Sequence, residues 1–233
     1  MEKSVAEKIF DSVHKAYDKF LNFATFNRIN NWQKTLIKNT PSGKYILDVG
    51  TGTGEVVKKI SEKVEDSSFI YGVDLSFNML KVAKNKINKE NILFIKADAL
   101  KMPFKNNSFD NIYFSLVFRH LPYDKIINQI DEVLKQNGYV SILEIAKPKS
   151  KILSGMILFF ADKIFRPFGR LIFSKEEWDY FVESIKNSMT KEELINFFEK
   201  NNFKLHFYES KFLGLIHLAV FKKSSEEQID RRS

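Results

Sequence analysis

Residues 46–54 read Ile-Leu-Asp-Val-Gly-Thr-Gly-Thr-Gly, and twenty residues past Gly54 the apolar run Phe69–Val73 closes on Asp74. A hydrophobic strand that breaks into alternating glycines and opens a helix lets backbone approach a ligand closely. An acid about 20 residues further on suits a ribose diol. The pair therefore predicts an adenosine-containing cofactor. Dinucleotide enzymes usually space their glycines G-x-G-x-x-G, with the helix N-terminus facing a pyrophosphate. Here the order is Gly50-x-Gly52-x-Gly54. A glycine-rich turn without a ligand and a nucleotide fold of another kind are the competing readings.

Outward from that stretch, strand and helix signals alternate, which predicts an α/β fold with a parallel sheet flanked by helices. Strands are expected at Tyr45–Val49, Phe69–Val73, Asn91–Lys96, Asn111–Ser115 and Tyr139–Ile145. The helix after strand one runs Glu55–Val64, with Val56, Val57, Ile60 and Val64 on one face; Ser76 can cap the next one. A helix carrying Ile126, Ile127, Ile130, Val133 and Leu134 is expected to stop at Asn137-Gly138. Phe10–Leu21 and Trp32–Ile37 are amphipathic helical segments before the first strand, and Lys191–Asn201 is a helix before the last two strands. Those strands, Lys204–Ser210 and Leu213–Phe221, lie too close in sequence for a parallel crossover and predict an antiparallel hairpin.

The chain has 233 residues, of which 44% are apolar and 28% charged, enough for one ordinary domain with an inserted lid. The expected organisation is a single domain over 1–222, with N-terminal helices in 1–40, a lid insertion at about 149–188 and a polar, disordered tail over 223–233. There is no cysteine, which excludes disulfides and thiolate metal sites. His14, His120, His206 and His217 are scattered without metal-ligand spacing, so no metal is expected. No N-terminal segment has the apolar core of a signal peptide, which makes a cytoplasmic location the default expectation. The net charge is +8, but only six of the 37 basic residues are arginine and no basic run is present. That pattern speaks against nucleic acid and suits loose contact with an anionic membrane surface.

The Gly50-x-Gly52-x-Gly54 loop with Asp48 ahead of it resembles the E/D-x-G-x-G-x-G loop of the class I S-adenosylmethionine-dependent methyltransferases. The remaining motifs narrow the resemblance. Phe10-Asp11-Ser12-Val13 to Tyr17-Asp18, Ala97-Asp98-Ala99, Met102-Pro103-Phe104, Asn107-Ser108-Phe109-Asp110, Leu143-Glu144 to Lys147-Pro148, Tyr180 to Ser184-Ile185 and Gly214-Leu-Ile-His217 together resemble the menaquinone/ubiquinone biosynthesis C-methyltransferases, across about residues 9–223. The resemblance implies a Rossmann-like seven-stranded methyltransferase sheet, five parallel strands plus the C-terminal hairpin, with S-adenosylmethionine as cofactor.

Position by position, the resemblance implies that Asp48 lies near the cofactor's ammonium or a water bound to it, and that Gly50, Thr51, Gly52, Thr53 and Gly54 surround the methionine moiety. Asp74, with Leu75 beside it, matches the ribose acid; Asp98 and Ala99 match the adenine-binding pair; Ser115 matches the polar residue ending strand four. A carboxylate can accept from both ribose hydroxyls, and Asp98 can accept from an exocyclic amine. A helix cap for Asp98 and a backbone-bonded hydroxyl for Ser115 are the structural alternatives.

The acceptor site is expected just beyond strand four, where Ser115-Leu-Val-Phe-Arg119-His120-Leu121 stands for the family's S-F-G-L-R-N-V. Methylating a hydroquinone carbon requires the ring to become electron-rich as the phenol loses its proton, so positioning and electrostatics dominate. Arg119 could stabilise a phenolate or hold a water; His120, which departs from the family asparagine, could be the base or simply orient the substrate. Tyr17, Trp32, Tyr180 and His217 match positions near the substrate. A second departure is Ile29-Asn30 in place of a His-Arg pair.

Residues 152–173 are strongly apolar, but Asp162, Lys163, Arg166 and Arg170 interrupt them, and a span needs about 20 largely uncharged residues. A lid touching the bilayer, a buried helix pair and a homodimer interface all remain open. The expected activity is methyl transfer from S-adenosylmethionine to a ring carbon of a reduced polyprenyl quinone precursor, demethylmenaquinol first. The alternatives are another phenolic, lipid or metabolite acceptor, and a non-catalytic cofactor-binding accessory protein.

Overall fold

The computed structural model describes residues 5–14, 17–147 and 174–225. The chain runs α1 (Val5–Val13), α2 (Tyr17–Ala24), α3 (Ile29–Asn39), β1 (Tyr45–Val49), α4 (Glu55–Ser61), β2 (Phe69–Asp74), α5 (Phe77–Lys86), β3 (Ile92–Lys96), β4 (Phe109–Ser115), α6 (Tyr123–Val133) and β5 (Leu134–Ile145). It continues with α7 (Lys175–Lys186), α8 (Lys191–Lys200), β6 (Phe203–Lys211) and β7 (Ile216–Lys223). The larger part of the expected insertion, 149–173, lies outside the described residues, as does the tail from 226.

The seven strands form one sheet in the order β3-β2-β1-β4-β5-β7-β6. Strands β1 to β5 pair in parallel, and β7 lies antiparallel to both β5 and β6, which is the expected hairpin. Alternation along the strands sends side chains to two separate cores. Leu47, Val49, Ile112 and Phe114 pack with α6 and α8 residues such as Ile126, Ile130 and Phe198. Ile46, Ile70 and Tyr113 pack with Trp32 and Leu36 of α3 and Val57 and Ile60 of α4 on the other face. Helices on both faces explain why the parallel strands are nearly continuous apolar runs.

Several boundaries differ from expectation: the segment Phe10–Leu21 divides between α1 and α2, α4 ends at Ser61 rather than Val64, β4 begins at Phe109 rather than Asn111, and β7 begins at Ile216 rather than Leu213. Helix α6 stops at Val133, and β5 begins at Leu134 rather than Tyr139. Leu134 pairs with Phe109 and the ladder resumes at Tyr139 opposite Asn111, so Asn137, at φ 63°, and Gly138 serve an irregularity within the strand instead of a helix stop. Strand β7 also runs two residues beyond Phe221, because Lys223 is buried and its Nζ donates to the carbonyls of Asp131, at 2.5 Å, and Leu134, at 3.2 Å.

Asp110 ties β4 to the start of β1. Its carboxylate accepts from the N–H groups of Lys44 (3.0 Å) and Tyr45 (2.8 Å) and pairs with Lys135 at 2.7 Å. Burial alone would raise its pKa, but the Lys135 hydrogen bond and the two N–H groups outweigh it and hold the carboxyl below the usual 3.8. Stability from such a depressed group is present above its unfolded value and is lost as pH falls through the folded one. Asp110→Asn is therefore expected to lower Tm near neutral pH, with the gap to wild type closing below about pH 4 in melts followed by circular dichroism; a gap that does not change with pH would remove the carboxylate's role.

Candidate functional site

The strand order reverses between β1 and β4, and in open parallel sheets ligands sit in the crevice beyond the carboxyl ends at that point. Here the segments after β1 (50–54), β2 (74–75), β3 (97–100) and β4 (115–122) enclose, with residues of α1, α2 and α3, a cavity of about 400 Å³. Pockets for ligands of drug size span about 300–1,000 Å³.

One side of the cavity is the glycine loop. Gly50, Gly52 and Gly54 all have positive φ, and a Cβ on Gly50 would lie 2.5 Å from Val117, so only glycine lets the β1 and β4 loops meet. The Gly52 N–H donates to Asp74 Oδ2 and the Ser76 N–H to Asp74 Oδ1, each at 2.8 Å. Both Asp74 oxygens keep accepting capacity toward the cavity. The Thr51 hydroxyl donates to Asp48 Oδ2 at 2.7 Å, while Asp48 Oδ1 is buried without a partner. Burial, opposed by Thr51 and reinforced by the charge of Asp74, pushes the 1%-exposed Asp48 carboxyl up to about 7. Burial also raises Asp74, against the N–H groups of Ser76 and Gly52.

Leu75, Asp98, Ala99, Thr51, Thr53 and Ser115 line the same cavity. Asp98 is exposed there and accepts from the Leu100 N–H at 2.9 Å, so it has a turn-capping role as well as free acceptor capacity. Gly54 stands behind the wall as the residue before α4, against Ala83. These groups fit S-adenosylmethionine: a partnerless buried carboxyl oxygen for an ammonium, an anchored acid for a diol, and a backbone cradle open above Gly52, where an added Cβ meets nothing within 4 Å.

The other side gathers Phe10, Tyr17, Leu21, Ile29, Asn30, Gln33, Leu116, Val117, His120 and Leu121. His120 stacks on Tyr180 (ring centroids 5.4 Å, 13° apart) and meets the Phe10 ring edge-on at 5.9 Å. Its Nδ1 is buried without a partner. Burial first, and the Arg119 guanidinium second, push its imidazole down to about 2, so it is neutral at any working pH. Burial pushes the Tyr17 hydroxyl up to about 12.

Arg119 does not face the cavity. It is 4% exposed, and its Nη1 donates to Glu144 Oε1 at 2.6 Å and to the Leu116 carbonyl at 2.9 Å. Its Nε donates to the Ser184 hydroxyl at 3.1 Å, and its backbone N–H to Glu144 Oε2 at 3.1 Å. Leu116 has φ 60°, a conformation bulky residues rarely hold without support. The arginine thus clamps the strained turn from which Val117 and His120 project.

His217 is also sequestered: Nε2–H donates to the Met189 carbonyl at 3.0 Å, so Nδ1 accepts from Tyr208 at 2.8 Å. Trp32 is buried against Phe212 in the core, and Tyr180 backs His120 without lining the cavity. Of the four expected substrate contacts, only Tyr17 reaches it.

Gln33 and Asp18 were not expected. Ile29, Trp32, Gln33, Leu36 and Ile37 follow the i, i+3, i+4, i+7, i+8 stripe of a buried helix face, so a glutamine at a core position was the signal available. It is 6% exposed, donates from Nε2 to Ser115 Oγ at 3.3 Å, and leaves Oε1 partnerless. Asp18 accepts from the Thr53 hydroxyl at 2.6 Å and pairs with Lys86 at 2.7 Å, docking α2 on the glycine loop. Among the described residues no three His, Cys, Asp or Glu side chains group as a metal site would.

The model of the ubiE/COQ5 methyltransferase family matches residues 1–223. The chain is 32% identical over 206 residues to a demethylmenaquinone methyltransferase of Staphylococcus aureus, covering 86% of each. Similar solved structures include a SAM-dependent methyltransferase from Aquifex aeolicus (TM-score 0.61, 17% identity, 88% of this chain and 97% of that one). Another, from Thermotoga maritima, is described as a SAM-dependent methyltransferase and possible histamine N-methyltransferase (TM-score 0.66, 16% identity, 93% and 99%). At such identities these structures speak for the fold.

Two outcomes follow from this geometry. The folded Asp48 carboxyl keeps its proton to about pH 7, whereas in the unfolded chain it releases it near 3.8. Wild type therefore loses stability as pH rises between those values. Asp48→Asn is expected to raise Tm of the free protein, more at pH 8 than at pH 4, while weakening cofactor binding by about 1.5–3 kcal/mol in calorimetry; unchanged affinity would remove the ammonium contact. Arg119→Met strands a buried carboxylate and is expected to cost about 3–5 kcal/mol, which Arg119→Met with Glu144→Met largely recovers. Turnover is expected to stay low in the double variant, because the Leu116 turn has lost its clamp; restored turnover would overturn the positioning role.

Proposed function

The chain belongs to the ubiE/COQ5 methyltransferase family and is an S-adenosylmethionine-dependent methyltransferase, and we propose that its acceptor is a reduced polyprenyl quinone precursor, demethylmenaquinol, methylated on a ring carbon. The observation that carries this reading is a pair of buried, partnerless atoms on residues that line the cavity's apolar side: Gln33 Oε1 and, with the ring hydrogen on Nε2, His120 Nδ1 as a second acceptor. A buried acceptor left without a donor costs about 1–3 kcal/mol. A hydroquinone brings two O–H donors on one flat ring; the oxidised quinone brings none. The site is therefore selective for the reduced form, the form whose ring carbon is nucleophilic.

When bound, S-adenosylmethionine supplies a methyl group activated on a cationic sulfur. Asp48, Asp74 and Asp98 place acceptors around it, and their charge suits a cation in a site shielded from water. His120, held flat by Tyr180 and kept neutral by burial and Arg119, accepts the hydrogen of a ring hydroxyl. An imidazole pushed that low holds a hydrogen bond rather than a proton, so His120 orients and polarises the hydroxyl; the sulfur–methyl bond breaks as the ring carbon takes the methyl group, and the protons released from the hydroxyl and the ring carbon pass to water at the cavity mouth. Gln33, braced by Ser115, takes the second hydroxyl, and Phe10, Leu21, Ile29 and Leu121 enclose the ring's apolar edge. Contact with a membrane surface goes with such an acceptor; no helix among the described residues is long and apolar enough to cross a membrane.

A second reading has its own observation. Ile29 and Asn30, which replace the family's His-Arg pair, line the cavity, and Asn30 is tied to Asn22 at 3.3 Å. A smaller phenol or another lipid acceptor would exploit that change.

The deciding measurement is transfer of labelled methyl from S-adenosylmethionine to reduced and oxidised demethylquinones and to simple phenols, with Asp74→Ala as blank. Product on the quinol and none on the quinone is expected. His120→Ala and Gln33→Leu should each raise the acceptor KM about tenfold, the loss of one hydrogen bond, with cofactor affinity unchanged. Cofactor binding with transfer only to a phenol would move the assignment to the altered acceptor.

A further inference from the structure

Two loops present large apolar side chains to solvent in conformations that resist them. Phe26, between α2 and α3, has φ 51° and is 63% exposed; Leu213, between β6 and β7, has φ 55° and is 90% exposed. Phe212, at φ 52°, joins the two loops: its ring lies 6.0 Å from that of Phe26 and 5.9 Å from buried Trp32. Among the described residues, the other positive-φ positions that are not glycine are Asn27, Asn107, Asn137, Asn202 and the clamped Leu116. Asparagine tolerates that region and is what this chain uses in ordinary turns; a phenylalanine or leucine there is strained. Strain retained together with exposure of an apolar side chain is the mark of a working surface.

One base stands directly at this knob. Arg28 is exposed, and from residue 19 to 47 the chain carries no acid; Lys211, beside Phe212, is half-buried and pairs with Glu209. The Arg28 guanidinium lies over the Phe212 ring at 5.9 Å. Exposed apolar tips with a guanidinium beside them match the boundary between anionic headgroups and acyl chains, where a basic residue near the surface contributes about 1 kcal/mol. The inner side of the same α2–α3 corner is cavity wall, through Leu21, Asn22, Ile29 and Asn30.

We propose that the Phe26–Phe212–Leu213 knob inserts into the surface of an anionic bilayer and so brings the acceptor side of the cavity to a lipid-dissolved substrate. The placement of the cavity against that bilayer rests on the quinol reading above; the insertion itself does not. Arg28 supplies attraction to anionic headgroups, and the two loop tips supply the apolar contact.

The test uses the whole chain with vesicles of phosphatidylcholine alone or with phosphatidylglycerol, and the variant Phe26→Asn/Leu213→Asn. Asparagine suits both backbone positions, so the variant is expected to melt at or above the wild-type temperature. Wild type is expected to float with the anionic vesicles, less so at high salt, and the variant to bind them about tenfold more weakly. With a quinol carried in those vesicles the variant loses turnover, whereas with a water-soluble short-chain quinol it matches wild type. Undiminished flotation of a folded variant, or no wild-type binding to anionic vesicles, overturns the proposal. So does a wild-type dimer in solution that the variant converts to monomer, which would make the knob a contact between two copies. Failure of both proteins to methylate any quinol, with flotation as expected, would count against the acceptor and leave the membrane surface standing.

Discussion

Arg119 and Glu144 form the interaction on which the site depends. Both are almost wholly buried, and together with Ser184 and the Leu116 carbonyl they use donors and acceptors that would otherwise be costly in the interior. Ion pairs of this kind contribute little net stability compared with apolar residues of similar volume. What this one provides is geometry: it fixes a left-handed residue at the carboxyl end of β4, and from that turn Val117 reaches the glycine loop and His120 reaches the cavity. It also joins β4, β5 and α7, and α7 in turn carries Tyr180 against His120. A buried cation one residue from an imidazole further keeps that imidazole neutral.

The same economy governs the cofactor side. Burial raises the proton affinity of both Asp48 and Asp74, the charge of Asp74 adds to it at Asp48 and that of Asp11 at Asp74, and Asp18 and Glu55 bring further negative charge that Lys86 partly offsets. An unliganded fold would be better served by neutral residues there. The arrangement makes sense as preorganisation for a cationic ligand, with desolvation of the acids already accomplished before binding. Three residues of the cavity wall each carry a buried side-chain atom without a partner, Asp48 on the cofactor side and Gln33 and His120 on the apolar side.

Most of the fold was legible because a parallel sheet writes itself in short apolar runs separated by turn chemistry. All seven strands and the terminal hairpin could be read within a few residues. The errors have local causes: Asn137-Gly138 has the same left-handed preference whether it ends a helix or bulges a strand, and sequence does not distinguish these. That the glycine loop, Asp74 and Asp98 would share one cavity was legible because a glycine loop and an acid at fixed spacing are dictated by close approach to a ligand. That Arg119 and His217 would lie away from the cavity lining was not legible, for the opposite reason. A charged or polar side chain is equally compatible with touching substrate and with satisfying a buried partner, and the choice turns on Glu144 and Met189, contacts distant in sequence.

Strain separates the positions that serve function from those that merely turn the chain. Where a reversal only joins elements, asparagine or glycine occupies the left-handed region. Where Leu, Phe and again Phe and Leu occupy it, at 116, 26, 212 and 213, the side chain is required for more than the turn. Leu116 is held by a buried guanidinium and closes the cavity; the others are held by Trp32 packing beneath Phe212 and face outward. The helices before β1 connect these two locations. Their inner faces supply Phe10, Tyr17, Asn30 and Gln33 to the cavity, and their outer corner supplies Phe26. One pair of helices and the corner between them thus carries apolar side chains on its outer surface and polar and aromatic side chains on the cavity wall, so the position of either depends on how α2 and α3 dock on the sheet.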